Sequence, residues 1–244
     1  MHYTLLPPDK SRKRLIDRFL ALFEVLLLSG PFSSAIAVLF FSARSLNLLN
    51  EDAKTISYFL LLEAGITILL MTIFMKAHQE TRSSLGLHFR RWKPNLLIGL
   101  ALVPFLFLVN AVVAFVFRFY FPDYYIERNP LTEIIQTPYQ LVLFIISAIV
   151  AGGIKEELQR AFILNRFGRY LGGAGLGLVL WSLAFGAQHY LQGWQGIFIT
   201  TICGFVFGIT YLLSKSLIGP IIAHSIYDTL ALLFYWLSSG QFKQ

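Results

Sequence analysis

Apolar residues in this chain come in runs that are too long and too uniform for the period-two alternation of a half-buried strand. Seven runs of about 16–25 residues are each long enough to cross a hydrocarbon core of ~30 Å at 1.5 Å per residue, with some tilt. The predicted spans are 19–43, interrupted by Gly30-Pro31 and carrying Glu24; 56–75, carrying Glu63; 96–121; 141–165; 176–191; 196–213; and 217–237. The predicted fold is therefore all-α, a polytopic membrane helical bundle of about seven transmembrane helices.

The polar segments between the runs divide by charge. Residues 1–18 carry Lys10, Arg12, Lys13, Arg14 and Arg18. They form a basic tail unlike a cleaved signal peptide, whose charged start is short. The loop 76–93 holds Lys76, Arg82, Arg90, Arg91 and Lys93, and its stretch 85–89 is expected to lie along the membrane surface. The loop after the third run is acidic on balance, with Asp123, Glu127 and Glu133 among Pro122, Pro130 and Pro138. A basic, glycine-rich turn at 166–175 follows the fourth run, and Lys215 sits in the tight turn before the last. Alternating these loops across a bilayer puts the basic ones on one side. The positive-inside rule then predicts a cytoplasmic N-terminus and a C-terminus outside. Arg118, near a span end, is expected to snorkel to the interface.

Composition agrees with an integral membrane protein. The 244 residues are 56% hydrophobic and only 14% charged, where soluble domains average about 25% charged, and mean hydropathy is +0.65. The net charge of +7 is carried by loops, so the lipid bilayer and not nucleic acid is the expected partner. The single cysteine, Cys203, excludes a disulfide framework. The chain reads as a tail (1–18), the first three transmembrane helices with their loops (19–140) and a C-terminal core (141–238).

Within that core the fourth run contains Gly152-Gly-Ile-Lys-Glu-Glu-Leu-Gln-Arg160. Each charge near a bilayer centre costs about 2.5–3.5 kcal/mol on insertion scales, so Lys155, Glu156, Glu157 and Arg160 together mark a site facing a bundle interior or wet cavity. The fifth run carries Phe185 and His189, and the seventh His224 and Asp228, each pair at i and i+4 on one helix face. No serine or cysteine is paired with a base on one turn, so a nucleophile dyad is not indicated. A carboxylate and a histidine can hold and deprotonate a water, and further donors can stabilise the resulting oxyanion. The same side chains are also zinc ligands, but the chain has no HExxH. Glu24 and Glu63, alone in their spans, are expected to pair with neighbouring helices.

These three pieces resemble the motifs EExxxR, FxxxH and HxxxN/D of the CPBP family (CAAX prenyl protease type II, also Abi or bacteriocin-processing proteins), which are intramembrane glutamate proteases. The resemblance spans about 141–237, one motif per run and in the family order. It implies a glutamate-type endopeptidase that cuts a peptide bond of a membrane-associated peptide or prenylated protein, without a cofactor. Carried over, Glu156 or Glu157 and His189 activate the water. His224 and Asp228 face the oxyanion, with Arg160 and Phe185 in support.

The first motif departs from the family pattern. Aligned on Arg160 without a gap, the first glutamate position holds Lys155 and the second Glu156. Glu156 and Arg160 then stand at i,i+4 with the acid first, a favourable order for an ion pair. Slipped by one, Glu156 and Glu157 form the pair and Ala161 takes the arginine position. A π-bulge near Gly152-Gly153 would produce such a slip. Both registers keep Glu156, which is expected to be the base, with Glu157 second. Asp228 replaces the amide of the HxxxN form and would have to be protonated or orient His224. Lys155 keeps a catalytically inactive CPBP-fold binding or scaffold protein as the alternative, and a proton-coupled transporter is a more distant one. Depth sets one tension. Glu156 and His224 lie ~10–14 Å from their cytoplasmic span ends, and His189 ~20 Å from its own.

Overall fold

A computed structural model describes residues 10–30, 32, 34–35, 52–89 and 91–239. Among them every regular element is helical: α1 (Lys10–Leu28), α2 (Ala53–Ala77), α3 (Trp92–Tyr120), α4 (Pro138–Ser147), a π-helical segment (Ala148–Glu156), α5 (Glu157–Tyr170), α6 (Ala174–Gln188), α7 (Gly193–Ser214) and α8 (Ile218–Ser238), with short helical turns between some of them. Tail residues 1–9, the far end of the first predicted span (36–43) and most of the following loop (44–51) lie outside the described residues.

Four of these helical stretches are long and apolar enough to cross a membrane: α2, α3, the stretch Tyr190–Ser214 that contains α7, and α8. The other three predicted spans depart from a simple crossing for separate reasons. α1 begins at Lys10, inside the stretch expected to be tail, and stops at Leu28 just before Gly30 adopts φ +73°. α4, the π segment and α5 form one helical run over 138–170 that is broken in hydrogen-bond type and loaded with charge. α6 has 15 residues, or about 22 Å at 1.5 Å per residue, short of the ~30 Å core.

Local chemistry sets the ends. Asp52 caps α2 by accepting from the Thr55 N–H at 2.7 Å. Thr137 and Gln140 make a reciprocal capping box around Pro138 at the head of α4. The turn between α5 and α6 places Gly172 at φ +100° and Gly173 at φ +110°, which a β-carbon would strain. α6 and α7 form an antiparallel pair, and α8 lies between α3 and the π segment. Apolar clusters join these elements: Leu106, Cys203, Phe207 and Ala223 bind α3, α7 and α8 together, while Ile56, Phe144, Leu232 and Trp236 join α2, α4 and α8. Leu97, Leu108 and Phe115 on α3 and Leu176 and Leu183 on α6 point outward, as suits a lipid-facing surface.

The loops gather at two ends, as the charge alternation requires. At one end Ile126 N–H donates to Gln195 Oε1 (3.1 Å) and Asn129 Nδ2 to Gln192 Oε1 (3.1 Å). At the other, Leu217 N–H donates to the Gly86 carbonyl (3.1 Å). The 85–89 stretch is thus not simply laid on the membrane surface. Leu85 is buried under the start of α8, and only its far end, Phe89, is open. Glu24 of α1 pairs with Arg166 (2.5 Å) and His78 (2.6 Å), and Arg166 also reaches Glu80 (2.8 Å). Glu63 pairs with Lys155 (2.9 Å). Both lone acids therefore meet neighbouring helices. Arg118, in the last turn of α3, lies over the ring of Tyr125.

Candidate active site

The π segment Ala148–Glu156 contains the glycine pair Gly152-Gly153 and ends at Glu156. A π turn bonds i to i+5 instead of i+4, so it inserts a residue and rotates the helix face that follows. The glycines let α8 come close. A β-carbon at 152 would lie 2.9 Å from Asp228 Oδ2 and 3.6 Å from His224 Nε2, and one at 153 would collide with Ser225 Oγ. Bare backbone there brings the polar stripe of α8 against the charged stretch.

The two adjacent glutamates then take different surroundings. Glu157 is fully buried, binds the Arg160 guanidinium at i+3, and lies 2.9 Å from His224 Nδ1. Arg160 is itself fully buried between two rings, 4.9 Å from the Phe185 centroid and 5.4 Å from that of Phe207. The i,i+4 pair of Glu156 with Arg160 that a gap-free register favours is therefore replaced by Glu157 with Arg160. Glu156 keeps 18% of its side chain exposed; its Oε1 is 3.8 Å from Lys155 Nζ and its Oε2 3.9 Å from His224 Nε2. Neither distance is a hydrogen bond, so its carboxylate is not consumed by a protein donor at those two contacts.

His224 stacks on Phe207 at 4.8 Å with planes 20° apart. Its Nδ1 faces the Glu157 carboxylate, which accepts, so Nδ1 carries a hydrogen. Nε2 lies 3.4 Å from Asp228 Oδ2. His189 sits at the C-cap of α6, its ring edge-on to Phe185 at 4.8 Å. Its Nδ1 is 2.8 Å from the Phe185 carbonyl. A carbonyl only accepts, so Nδ1 is the N–H and Nε2 holds the free lone pair. Phe185 links the two imidazoles, its ring centroid 4.8 Å from that of His189 and 6.5 Å from that of His224. The tension in depth between Glu156 and His189 is lifted once the helix ends are seen, while His224 stays about 9 Å from the start of α8. α5 continues to Tyr170, past the expected end at 165, and is joined to α6 by a short turn. Glu156 and His189 are then both about 21–24 Å from that turn at 1.5 Å per residue.

Of the expected residues, Glu156, Glu157, Arg160, Phe185, His224 and Asp228 meet in one cluster, and His189 joins it through the ring of Phe185. Three contributors escaped sequence reasoning: Phe207, indistinguishable from any apolar residue of a span; Ser225, hidden between two motif positions; and Glu63, visible as an intramembrane acid but without an assigned partner. Among the described residues no group of three or more His, Cys, Asp or Glu side chains is arranged to hold a metal ion.

Comparison with known proteins gives one match. Residues 137–230 fit the family model described as type II CAAX prenyl endopeptidase Rce1-like. No curated protein and no solved structure matches the chain. The matched stretch runs from the cap of α4 to α8 and contains all three polar motifs. Over residues 137–230, which hold the whole polar cluster, the chain is thus similar to the Rce1-like type II CAAX prenyl endopeptidases, a family of membrane-embedded proteases.

Proposed function

We propose that the chain is an intramembrane endopeptidase that hydrolyses a peptide bond of a membrane-associated substrate, such as a prenylated protein, with a water activated by Glu156 and His189. The observation that carries this reading is the difference between the two glutamates. Glu157 is consumed by Arg160 and His224, while Glu156 remains partly open beside them. Glu156 acts as general base and His189 Nε2 accepts a hydrogen bond from the same water. As the carbonyl becomes tetrahedral, His224, protonated on both nitrogens, donates from Nε2–H to the oxyanion while its Nδ1–H donates to Glu157 behind it. Asp228 steadies that nitrogen, or donates when protonated. Arg160 and Phe185 hold Glu157 and His189 in place. The chemistry needs no metal. The N-terminus is cytoplasmic and the C-terminus outside, supported by the basic loops gathered at one end of the bundle.

The inactive-scaffold alternative drew on Lys155 at a glutamate position. That lysine bonds Glu63 at 2.9 Å and leaves Glu156 beyond hydrogen-bond range, which favours the proteolytic reading over the alternative. The test is cleavage of a membrane-tethered peptide by purified protein in proteoliposomes. Wild type cleaves in the presence of a strong chelator, and Glu156→Gln and His189→Ala each lose about 10²–10⁴-fold in rate, the usual contribution of a general base. Activity surviving both substitutions defeats the assignment, and a chelator-induced loss that zinc restores defeats the metal-free mechanism.

A further inference from the structure

Lys155 is the residue of the charged stretch for which the proposed chemistry has no use. It is buried, with only 8% of its side chain exposed, next to the glutamate proposed as base. An ammonium bonded to that carboxylate would occupy the lone pair that must receive the proton from water. Two acids compete for Lys155. Its Nζ is 2.9 Å from Glu63 Oε2 and 3.8 Å from Glu156 Oε1. The first is a charge-assisted hydrogen bond, and the second is beyond hydrogen-bond range. Glu63 is buried on α2, and its other oxygen accepts from the buried Thr67 hydroxyl at 3.0 Å, one turn on. The acid is thus oriented toward Lys155 from its own helix. A buried ammonium must keep a partner, and Glu63 is the partner it has taken.

Resting on the proteolytic reading, we infer that Glu63 is a positioning residue of the active site: it binds Lys155 and keeps Glu156 free to act as base. α2 therefore belongs to the machinery although it lies outside the matched segment 137–230. The inference also explains how a lysine sits directly before the acidic pair without disabling it. The positive charge stays 3.8 Å from Glu156 but is bonded to Glu63. The charged and titratable groups around Glu156 are Lys155 and Glu157 beside it, Arg160 one turn on, His224 and Asp228 from α8, His189 from α6 and, behind Lys155, Glu63 from α2.

The experiment compares wild type, Glu63→Gln, Lys155→Met and the double variant in the proteoliposome assay, with thermal denaturation of all four. Without Glu63, Lys155 turns to Glu156. The kcat of Glu63→Gln falls about tenfold or more while KM changes less than about twofold, and the acid limb of its kcat–pH profile moves to lower pH. The double variant recovers to within about threefold of wild-type kcat, with the limb at or above the wild-type position. Wild-type kcat and pH profile in Glu63→Gln overturn the inference, as does a loss that the double variant does not recover. Should Glu63→Gln fail to fold, the double variant decides. Folded and active it supports the inference, and inactive or unfolded it overturns it, because no buried lysine then needs a partner. A wild-type protein that cleaves nothing refutes the proteolytic reading instead. In that case the melting temperatures decide the pairing, with non-additive shifts for 63 and 155 supporting it and additive shifts overturning it.

Discussion

A methyl group at Gly153 has nowhere to go. Its position is taken by Ser225 Oγ, with Ser225 Cβ at 3.0 Å and Cα at 3.2 Å behind it. Gly153→Ala must therefore push α8 off the π segment, at a cost of about 1–3 kcal/mol, the usual range for overpacking. Denaturation of the purified variant measures that cost, and adding Ser225→Ala should return part of it by removing the nearest atom. At this scale the sequence was informative wherever polarity was out of place. Glu156, Glu157, His189, His224 and Asp228 are each legible as polar groups in apolar runs. What could not be read was who binds whom. On a helix Glu156 at i−4 and Glu157 at i−3 both reach Arg160; in the fold Glu157 binds the guanidinium, which Phe185 and Phe207 enclose.

Between elements, the informative feature is the π segment. Gly152-Gly153 signalled a possible break in register, but the extent of the break, Ala148–Glu156, depends on α8 pressing against it. The helix ends were legible to within a few residues for α2, α3, α7 and α8. They were less so for α5, whose final two turns carry Arg166 and Arg169. These residues look like loop until Glu24 and Glu80 are brought to them by α1 and the end of α2. Arg166 is the hub of that cluster, 1% exposed and bonded to Glu24 at 2.5 Å and Glu80 at 2.8 Å. Removing one partner from a buried pair costs about 3–5 kcal/mol. Arg166→Ala should therefore loosen α1 before the rest of the bundle, seen as amide hydrogen exchange rising in 10–28 while that in α7 and α8 stays slow.

At the scale of the molecule, an all-helical membrane protein was legible from composition and run length, because a bilayer demands long apolar helices. The number of crossings was not legible in the same way. α6 is apolar yet only 15 residues long, and the run 138–170 gives up apolar continuity to carry the polar cluster. The proposed orientation rests on loop charge and is open to a direct test. In a Cys203→Ser background, Tyr124→Cys should react with an impermeant maleimide added to intact cells, and Lys215→Cys only after permeabilisation. The reverse pattern contradicts the proposed orientation. The same two ends frame the chemistry, since His224 lies six residues into α8, about 9 Å from the Lys215 end.

The central claim is that two adjacent glutamates have divided their work, Glu156 for chemistry and Glu157 for architecture. The most direct measurement is peptide cleavage and melting temperature for Glu156→Gln and Glu157→Gln side by side. Glu156→Gln should melt near wild type and cleave about 10²–10⁴-fold more slowly. Glu157→Gln should melt well below wild type, because Arg160 and His224 lose their shared carboxylate, while the fraction that remains folded still cleaves. A Glu156→Gln protein that cleaves at the wild-type rate, beside a Glu157→Gln protein that is stable and inactive, would contradict the account.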